Sequence, residues 1–265
     1  MQVGRVREMA RATLSRLLVL YTVLLLFPVE YRVTRLLTVL GACSIWGMTL
    51  FLWWRNRRRR VFLLGGLVLA ALLLAMPGRR VSASALRADY MAVLRVYGHA
   101  RYVWGGESPL GIDCSGLVRK GLVWGQALNG LRTLNGTPLR NAVLLWWHDC
   151  SARALRDGYR GLTSPLFTVG SINGIDYGAL ELGDLAVTVD GVHTMAYVGN
   201  RTWMEADPDL GRVVEVTVPT ENPWFKIPVV LVRWQALANV RLPTDRRVGS
   251  ERRERWLPAG IFGGA

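Results

Sequence analysis

What most limits the folds open to this chain is where its charges are missing. Leu36 to Trp54 runs 19 residues without a charged side chain, and Val61 to Pro77 runs another 17. At about 1.5 Å of helical rise per residue, each run has roughly the length that crosses ~30 Å of hydrocarbon, the second at the short end. Leu17 to Val29, 13 residues, is a weaker third candidate, extended if Arg16 and Tyr31 reach out to the interfaces. Between the two longer runs lie five arginines in six residues, Arg55 and Arg57 to Arg60 around Asn56. Basic loops are retained on the cytoplasmic side, and one span then separates this loop from everything downstream. The expectation is a membrane anchor over residues 1–80, with spans at 17–29, 36–54 and 61–77. Residues 81–265 then lie on the extracytoplasmic side of a multi-pass protein in the cytoplasmic membrane.

The net charge of +14 supports this division rather than a nucleic-acid partner. Residues 1–80 carry 13 arginines against Glu8 and Glu30, a net +11, whereas residues 81–265 carry 20 basic against 17 acidic side chains, a net +3. A nucleic-acid surface needs its excess charge on the folded domain, and here most of it orients the anchor. A chain that is 51% hydrophobic and 20% charged is not disordered throughout, and three cysteines in 265 residues are too few for a disulfide scaffold.

Beyond the anchor, Ser84 to Tyr97 places Leu86, Tyr90, Val93, Leu94 and Tyr97 at helical period, with Gly98 as a stop. Residues 105–111 read as a Gly/Pro/Ser loop. Cys114 to Leu128 resumes a helical pattern, and a third helix is predicted from Thr137 as N-cap, with Pro138 at its first position, to about Gly158. Strands follow at Leu185–Val189 and Val192–Val198 around an Asp190-Gly191 turn, then at Thr202–Ala206, Val213–Val218 and Val229–Trp234. Helices followed by an antiparallel meander make an α+β domain over residues 81–240. Residues 241–265, rich in Arg, Gly and Pro, read as a flexible tail.

The chemistry concentrates in Tyr102-Val-Trp-Gly-Gly-Glu-Ser-Pro-Leu-Gly-Ile-Asp-Cys-Ser-Gly-Leu-Val118. Cys114 stands where a glycine-rich loop meets a helix, and a thiolate at a helix N-terminus is stabilised by the macrodipole and by free backbone N–H groups. The same groups can hold a developing oxyanion. A nucleophilic thiol needs a base, and only His99, His148 and His193 exist, of which His193 lies on the return strand of the hairpin. Cys150 is a possible disulfide partner for Cys114. His148-Asp149-Cys150 reads as surface and packing, and Glu107 and Glu181 as solvated loop charges. Three histidines and three cysteines without ligand spacing give no metal site, and no cofactor is expected.

These residues resemble the NlpC-type papain-like cysteine peptidases, the cell-wall endopeptidases. The likeness rests on four blocks in order: Tyr102–Gly106, Asp113–Val118, Gly183-Asp184-Leu185 and His193–Gly199. It covers roughly residues 85–235 and none of the anchor. It implies a papain-like fold and hydrolysis of an amide, most simply in peptidoglycan stem peptides, through an acyl-enzyme. Cys114 then matches the nucleophile, His193 the general base, and Tyr102 a hydroxyl assisting the oxyanion hole. Asp113 and Ser115 match positions shaping the substrate pocket, which Trp104 can also line. The third polar position, twelve residues after the base, is often histidine in the family and is Glu205 here; a carboxylate can still orient an imidazole.

Strand register leaves that last assignment open. A two-residue Gly199-Asn200 turn puts Ala206 opposite His193, whereas a three-residue loop pairing Tyr197 with Arg201 puts Glu205 there. The second is favoured because it agrees with the family spacing, with Asp207 as the fallback. Residues 129–175 have no counterpart in the family's short core and are expected to cap the groove. The competing readings are a related acyl or amide transferase and a non-catalytic domain that binds the wall or a partner protein.

Overall fold

The computed structural model describes residues 2–238; the tail expected at 241–265 lies outside the described residues. Three long helices come first: α1 (Gln2–Leu26), α2 (Arg32–Trp53) and α3 (Arg57–Ala75). Two of them, α1 through Arg5–Leu26 and α2, are long and apolar enough to cross a membrane, with almost none of that surface buried against the rest of the chain. The sequence ranks 61–77 above 17–29, and the helices reverse this order. Helix α1 continues back from Leu17 to Arg5 and beyond, whereas α3 opens on four arginines and has only 15 apolar residues after them. At the arginine loop, the guanidinium of Arg59 lies 4.7 Å from the Trp53 ring centre and that of Arg60 lies 5.0 Å from Trp54. This is cation–π geometry.

Helix α4 (Ala83–Val96) starts on the Ser82 cap, a two-stranded ribbon of β1 (Glu107–Ser108) and β2 (Gly111–Ile112) follows, and α5 (Cys114–Thr133) starts on Asp113. The predicted third helix is two. Helix α6 (Gly136–Trp147) is capped by Asn135, not Thr137, and α7 (Ala152–Arg156) by Ser151. The side chains of Asn135 and Ser151 accept the free N–H groups of each first turn.

One antiparallel sheet closes the domain. Its strands are β3 (Thr163–Val169), β4 (Leu185–Thr188), β5 (Thr194–Gly199), β6 (Thr202–Asp207), β7 (Arg212–Thr217) and β8 (Val229–Trp234), in the spatial order β3-β8-β4-β5-β6-β7. Strand β3 was not expected: Pro165 interrupts its pattern, which is tolerated because β3 is an edge strand. Alternation sends Leu185, Val187, Ala196, Met204 and Ala206 toward Tyr90, Leu94, Leu117 and Leu122 of α4 and α5. Ala186, Met195, Tyr197 and Trp203 face the other way, under Ile172, Ile175 and Phe225 from loops. Helices on one face of an antiparallel sheet make this the α+β, papain-like arrangement.

The N-terminal helices are not merely tethered to this domain. The link between α1 and α2 is built into it: Val29 bridges Gly106, Glu30 N–H donates to Gly105 O at 3.1 Å, and Glu107 N–H donates to Pro28 O at 2.9 Å. The end of α3 meets it too, where Arg140 donates to the carbonyls of Leu74 and Met76 at 2.8 and 2.9 Å. The C-terminus of α1, the N-terminus of α2 and the C-terminus of α3 therefore lie at the domain. The arginine loop, joining the opposite ends of α2 and α3, lies at the far end.

Candidate active site

Helix α5 begins where it does because Asp113 has several donors to satisfy. One carboxylate oxygen accepts Gly116 N–H at 2.5 Å and the Ser115 hydroxyl at 3.0 Å, and the other accepts Gly105 N–H at 2.9 Å. The cap thus ties the glycine loop to the helix and holds Cys114 in the first turn. Burial raises the Asp113 carboxyl above the usual carboxylate range, against the pull of these three donors. Gly116 has to be glycine, since a Cβ there would lie 2.3 Å from the carbonyl oxygen of Gly106.

His193 lies immediately before β5, held by its N–H to the Thr188 hydroxyl at 3.0 Å. Its Nε2 is 2.7 Å from Glu205 Oε2, with exposures of 2% for the histidine and 0% for the carboxylate. The Cys114 thiol lies beside this strand entry, its Sγ 3.8 Å from the carbonyl oxygen of Val192, the residue before His193; with Nε2 committed to the carboxylate, Nδ1 is the ring nitrogen left for the thiol. Burial works to lower the His193 pKa, but the hydrogen bonds to Cys114 and Glu205, with their charges, outweigh it and raise it to about 9.

Neither register considered from the sequence is the one found. The turn is Asn200-Arg201 with a bulge at Val198, which pairs Tyr197 with Trp203 and Ala196 with Met204. Continuing that register sets His193 opposite Asp207. Glu205 reaches the ring as the diagonal neighbour on the same face. Asp207 is directed elsewhere, accepting Asp209 N–H at 2.7 Å and Leu210 N–H at 3.0 Å in the following turn.

Two residues beside His193 were missed. Asn222 Nδ2 donates to Glu205 Oε1 at 2.9 Å and to Asp207 Oδ2 at 3.1 Å, bridging two buried carboxylates. Trp224 stacks on the imidazole, with ring centres 4.4 Å apart and planes 27° apart. The signal available was Asn222-Pro223, a turn-forming pair, and nothing in its spacing ties it to residue 193.

Cys114 opens into a cleft of about 420 Å³. Tyr102, Trp104, Asp113 and Ser115 line it, so the structure brings these predicted residues around the thiol; Trp104 is 70% exposed. Burial, then the neighbouring Cys114 and Asp113 charges, hold the Tyr102 hydroxyl protonated well past its ordinary range. The opposite wall is Asp149, Ser151, Ala152 and Arg153, from within the 129–175 segment expected to cap the groove. Glu30 and Tyr31 of the α1–α2 link form a further wall that sequence reasoning assigned to the anchor alone. His99 is apart from this cleft, beside Arg95 and Arg212. Cys43, Cys114 and Cys150 are free thiols, so the disulfide weighed for Cys150 is not formed; burial pushes its thiol up to about 12.

Glu107 is not a solvated loop charge. It is 6% exposed and pairs with Arg35 at 2.8 Å and with Arg119, while Lys120 lies 3.5 Å away. Lys120 also bonds both oxygens of Glu30, at 3.0 and 3.1 Å, and Asp149 is within 3.7 Å of Arg35 and 3.5 Å of Arg119. Glu181, the other charge placed in solvent, pairs with Arg87 and with Arg233. Burial, then the Arg35 charge, lowers Arg119 to about 10. Arg35, 1% exposed, is thus a charge from an apolar helix set among the carboxylates behind the cleft. Removing one member of such a cluster uncovers its partners at a cost of about 3 kcal/mol. Arg35→Ala is therefore expected to lower the Tm of the full-length protein in detergent clearly, and Arg35→Lys by less; an unchanged Tm for Arg35→Ala would mean the cluster adds nothing to stability.

Residues 98–233, just over half of the chain, match the model of the NlpC/P60 family. Three solved structures are similar. The peptidoglycan hydrolase RipB from Mycobacterium tuberculosis is 18% identical, with 57% of this chain and 65% of that one covered and a TM-score of 0.36. An NlpC/P60 family protein from Bacillus cereus is 18% identical over 60% and 41% of the two chains, TM-score 0.37. The NlpC/p60 domain of the peptidoglycan hydrolase SagA is 21% identical over 56% and 97%, TM-score 0.34. The chain thus spans less than two thirds of the length of the first two. No curated protein matches it.

Proposed function

The chain belongs to the NlpC/P60 family, and on that premise we propose that it is a membrane-anchored cysteine amidase acting on peptidoglycan stem peptides. The observation that carries the reading is the line Cys114–His193–Glu205, a thiol at a helix N-terminus, an imidazole and a buried carboxylate 2.7 Å from it, opening on a cleft. The substrate class comes from the family, which includes peptidoglycan hydrolases.

In this reading His193 takes the Cys114 proton, and the thiolate adds to the amide carbonyl. The oxyanion is met by backbone N–H groups at the start of α5 and by the Tyr102 hydroxyl, which stays protonated and so remains a donor. His193 returns its proton to the leaving amine. Water, deprotonated by the same ring, then releases the acyl group from sulfur. Glu205 keeps Nδ1 aimed at the thiol and stabilises the imidazolium; Asp113 and Ser115 shape the substrate side of the cleft beside Trp104.

The anchor would consist of residues 1–80, with α1, α2 and the apolar part of α3 crossing the bilayer. Fifteen apolar residues of α3 reach about 23 Å as a helix, and Arg58 to Arg60 can extend that by snorkelling. The arginine loop at the end opposite the domain then lies in the cytoplasm, and Cys114 works outside it.

Purified full-length protein incubated with whole peptidoglycan should release fragments ending at a cleaved stem-peptide amide, identified by mass spectrometry. The Cys114→Ala chain should release none. Cleavage of glycan bonds alone, or equal release by both chains, would overturn the reading.

A further inference from the structure

A second depression of about 400 Å³ lies between the anchor and the catalytic domain. One wall is Leu25, Phe27 and Thr38 of the α1–α2 region; the other is Trp124 and Ala127 of α5 with Val143 of α6. Its lining is mostly apolar, with Thr34 and Thr38 on the α2 side, and its charged groups, Glu30 and Lys120, meet at one place. Glu30 also lines the Cys114 cleft, so the two depressions adjoin there.

The surroundings say what would fill it. Trp124, Leu128 and Leu131 stand on one stripe of α5 at spacings of four and three, and all are exposed, as are Val143 and Leu144 of α6. A soluble domain does not leave such a stripe uncovered. The outward faces of α1 and α2, rich in exposed Leu, Val and Phe, continue beside it. Hydrocarbon covers all of these surfaces together if α5 and α6 rest on the bilayer, with Trp124 at the level preferred by interfacial tryptophan. The groove then opens toward acyl chains, and its polar end leads to the thiol.

We propose that this groove seats the hydrocarbon chain of a lipid-linked amide substrate, with the polar part crossing Glu30 and Lys120 into the Cys114 cleft. The inference rests on the amidase reading and deepens it: the substrate is a peptide amide still attached to a membrane lipid. The chain's burial favours such a substrate over the same peptide without it, because apolar surface leaves water only in the first case.

The full-length protein in phosphatidylcholine–phosphatidylglycerol nanodiscs provides the test. The substrates are one stem peptide with and without a polyprenyl chain. Wild type should show a kcat/KM ratio favouring the chain-bearing peptide by about tenfold or more. Ala127→Phe and Thr38→Trp, which fill the groove from opposite walls, should bring that ratio toward one. In parallel, a photoreactive group on the chain should crosslink the Cys114→Ala protein within residues 24–38 and 120–146, mapped by mass spectrometry. A wild-type ratio of one, a ratio untouched by both groove substitutions, or crosslinks displaced equally by ordinary phospholipid would overturn the proposal. Groove crosslinks without cleavage of either peptide would keep the groove assignment and remove the amidase reading instead.

Discussion

Cys114→Ala should lower kcat for amide hydrolysis by about 10⁶-fold, the loss seen when the nucleophile of a coupled catalytic set is removed, leaving only what cleft binding and oxyanion donors supply. The effect is large because the steps are serial. Without sulfur there is no acyl-enzyme, and the remaining groups have only water to activate. The fold should be little changed, since the helix start is fixed by Asp113 through Gly116, Ser115 and Gly105 rather than by the thiol. The measurement is initial rates on a defined stem peptide, with intact-mass detection of an acyl adduct in the wild type. Residual activity within tenfold of wild type would exclude Cys114 as nucleophile.

Glu205→Gln should cost about 10³- to 10⁴-fold in kcat, by analogy with a triad whose carboxylate is replaced by its amide. Glutamine fits the same space and can still accept from Asn222. Its amide, however, donates to Nε2, which forces the neutral ring to carry its proton on Nδ1, the side that must accept the thiol proton. Asp207→Asn should cost far less, because Asp207 is occupied by the N–H groups of Asp209 and Leu210. The reverse ranking would transfer the orienting role to Asp207. The pH dependence follows with a definite sign. The folded His193 pKa is raised to about 9, from an unperturbed value of about 6.5. Its stabilising contribution is therefore complete below about 6.5 and is lost as pH rises through about 9. In Glu205→Gln the carboxylate no longer raises the pKa while burial still lowers it, so the alkaline limb of kcat/KM should move to lower pH. An unmoved limb would mean Glu205 does not hold the imidazolium.

Local chemistry was legible from residues alone. Asp113 capping a helix at Cys114, the Asp190-Gly191 hairpin that places His193, and the alternation of β4, β5 and β6 each involve groups a few positions apart. The family blocks lie in those same stretches, which is why fold and family could be read together. The uncharged runs likewise marked the long apolar helices, though α1 is longer and α3 shorter in apolar length than the runs suggest, because helix length depends on where flanking arginines are accommodated.

What failed was what depended on distance. Pro165 hid β3 until the sheet showed an edge able to accept it. One bulge at Val198 changed the register by more than either turn length allowed for, and Glu205 reached His193 diagonally. Asn222 and Trp224 belong to the site only because a loop folds over the sheet face that carries His193. Glu107 looked like a solvated charge beside Gly106, and Arg35 stands just outside the uncharged run that begins at Leu36. They form an ion pair across 72 positions of sequence, and Glu30 and Tyr31 thereby become a wall of the cleft. The sequence by itself determined the helix that starts at Cys114, the hairpin that carries His193 and the apolar N-terminal helices, since each depends on hydrogen bonds and periodicities within one element. Only the tertiary structure decided which carboxylate holds the imidazole and that the link between α1 and α2 helps build the cleft. Those outcomes depend on burial and on charges brought together from distant segments, which no local pattern encodes.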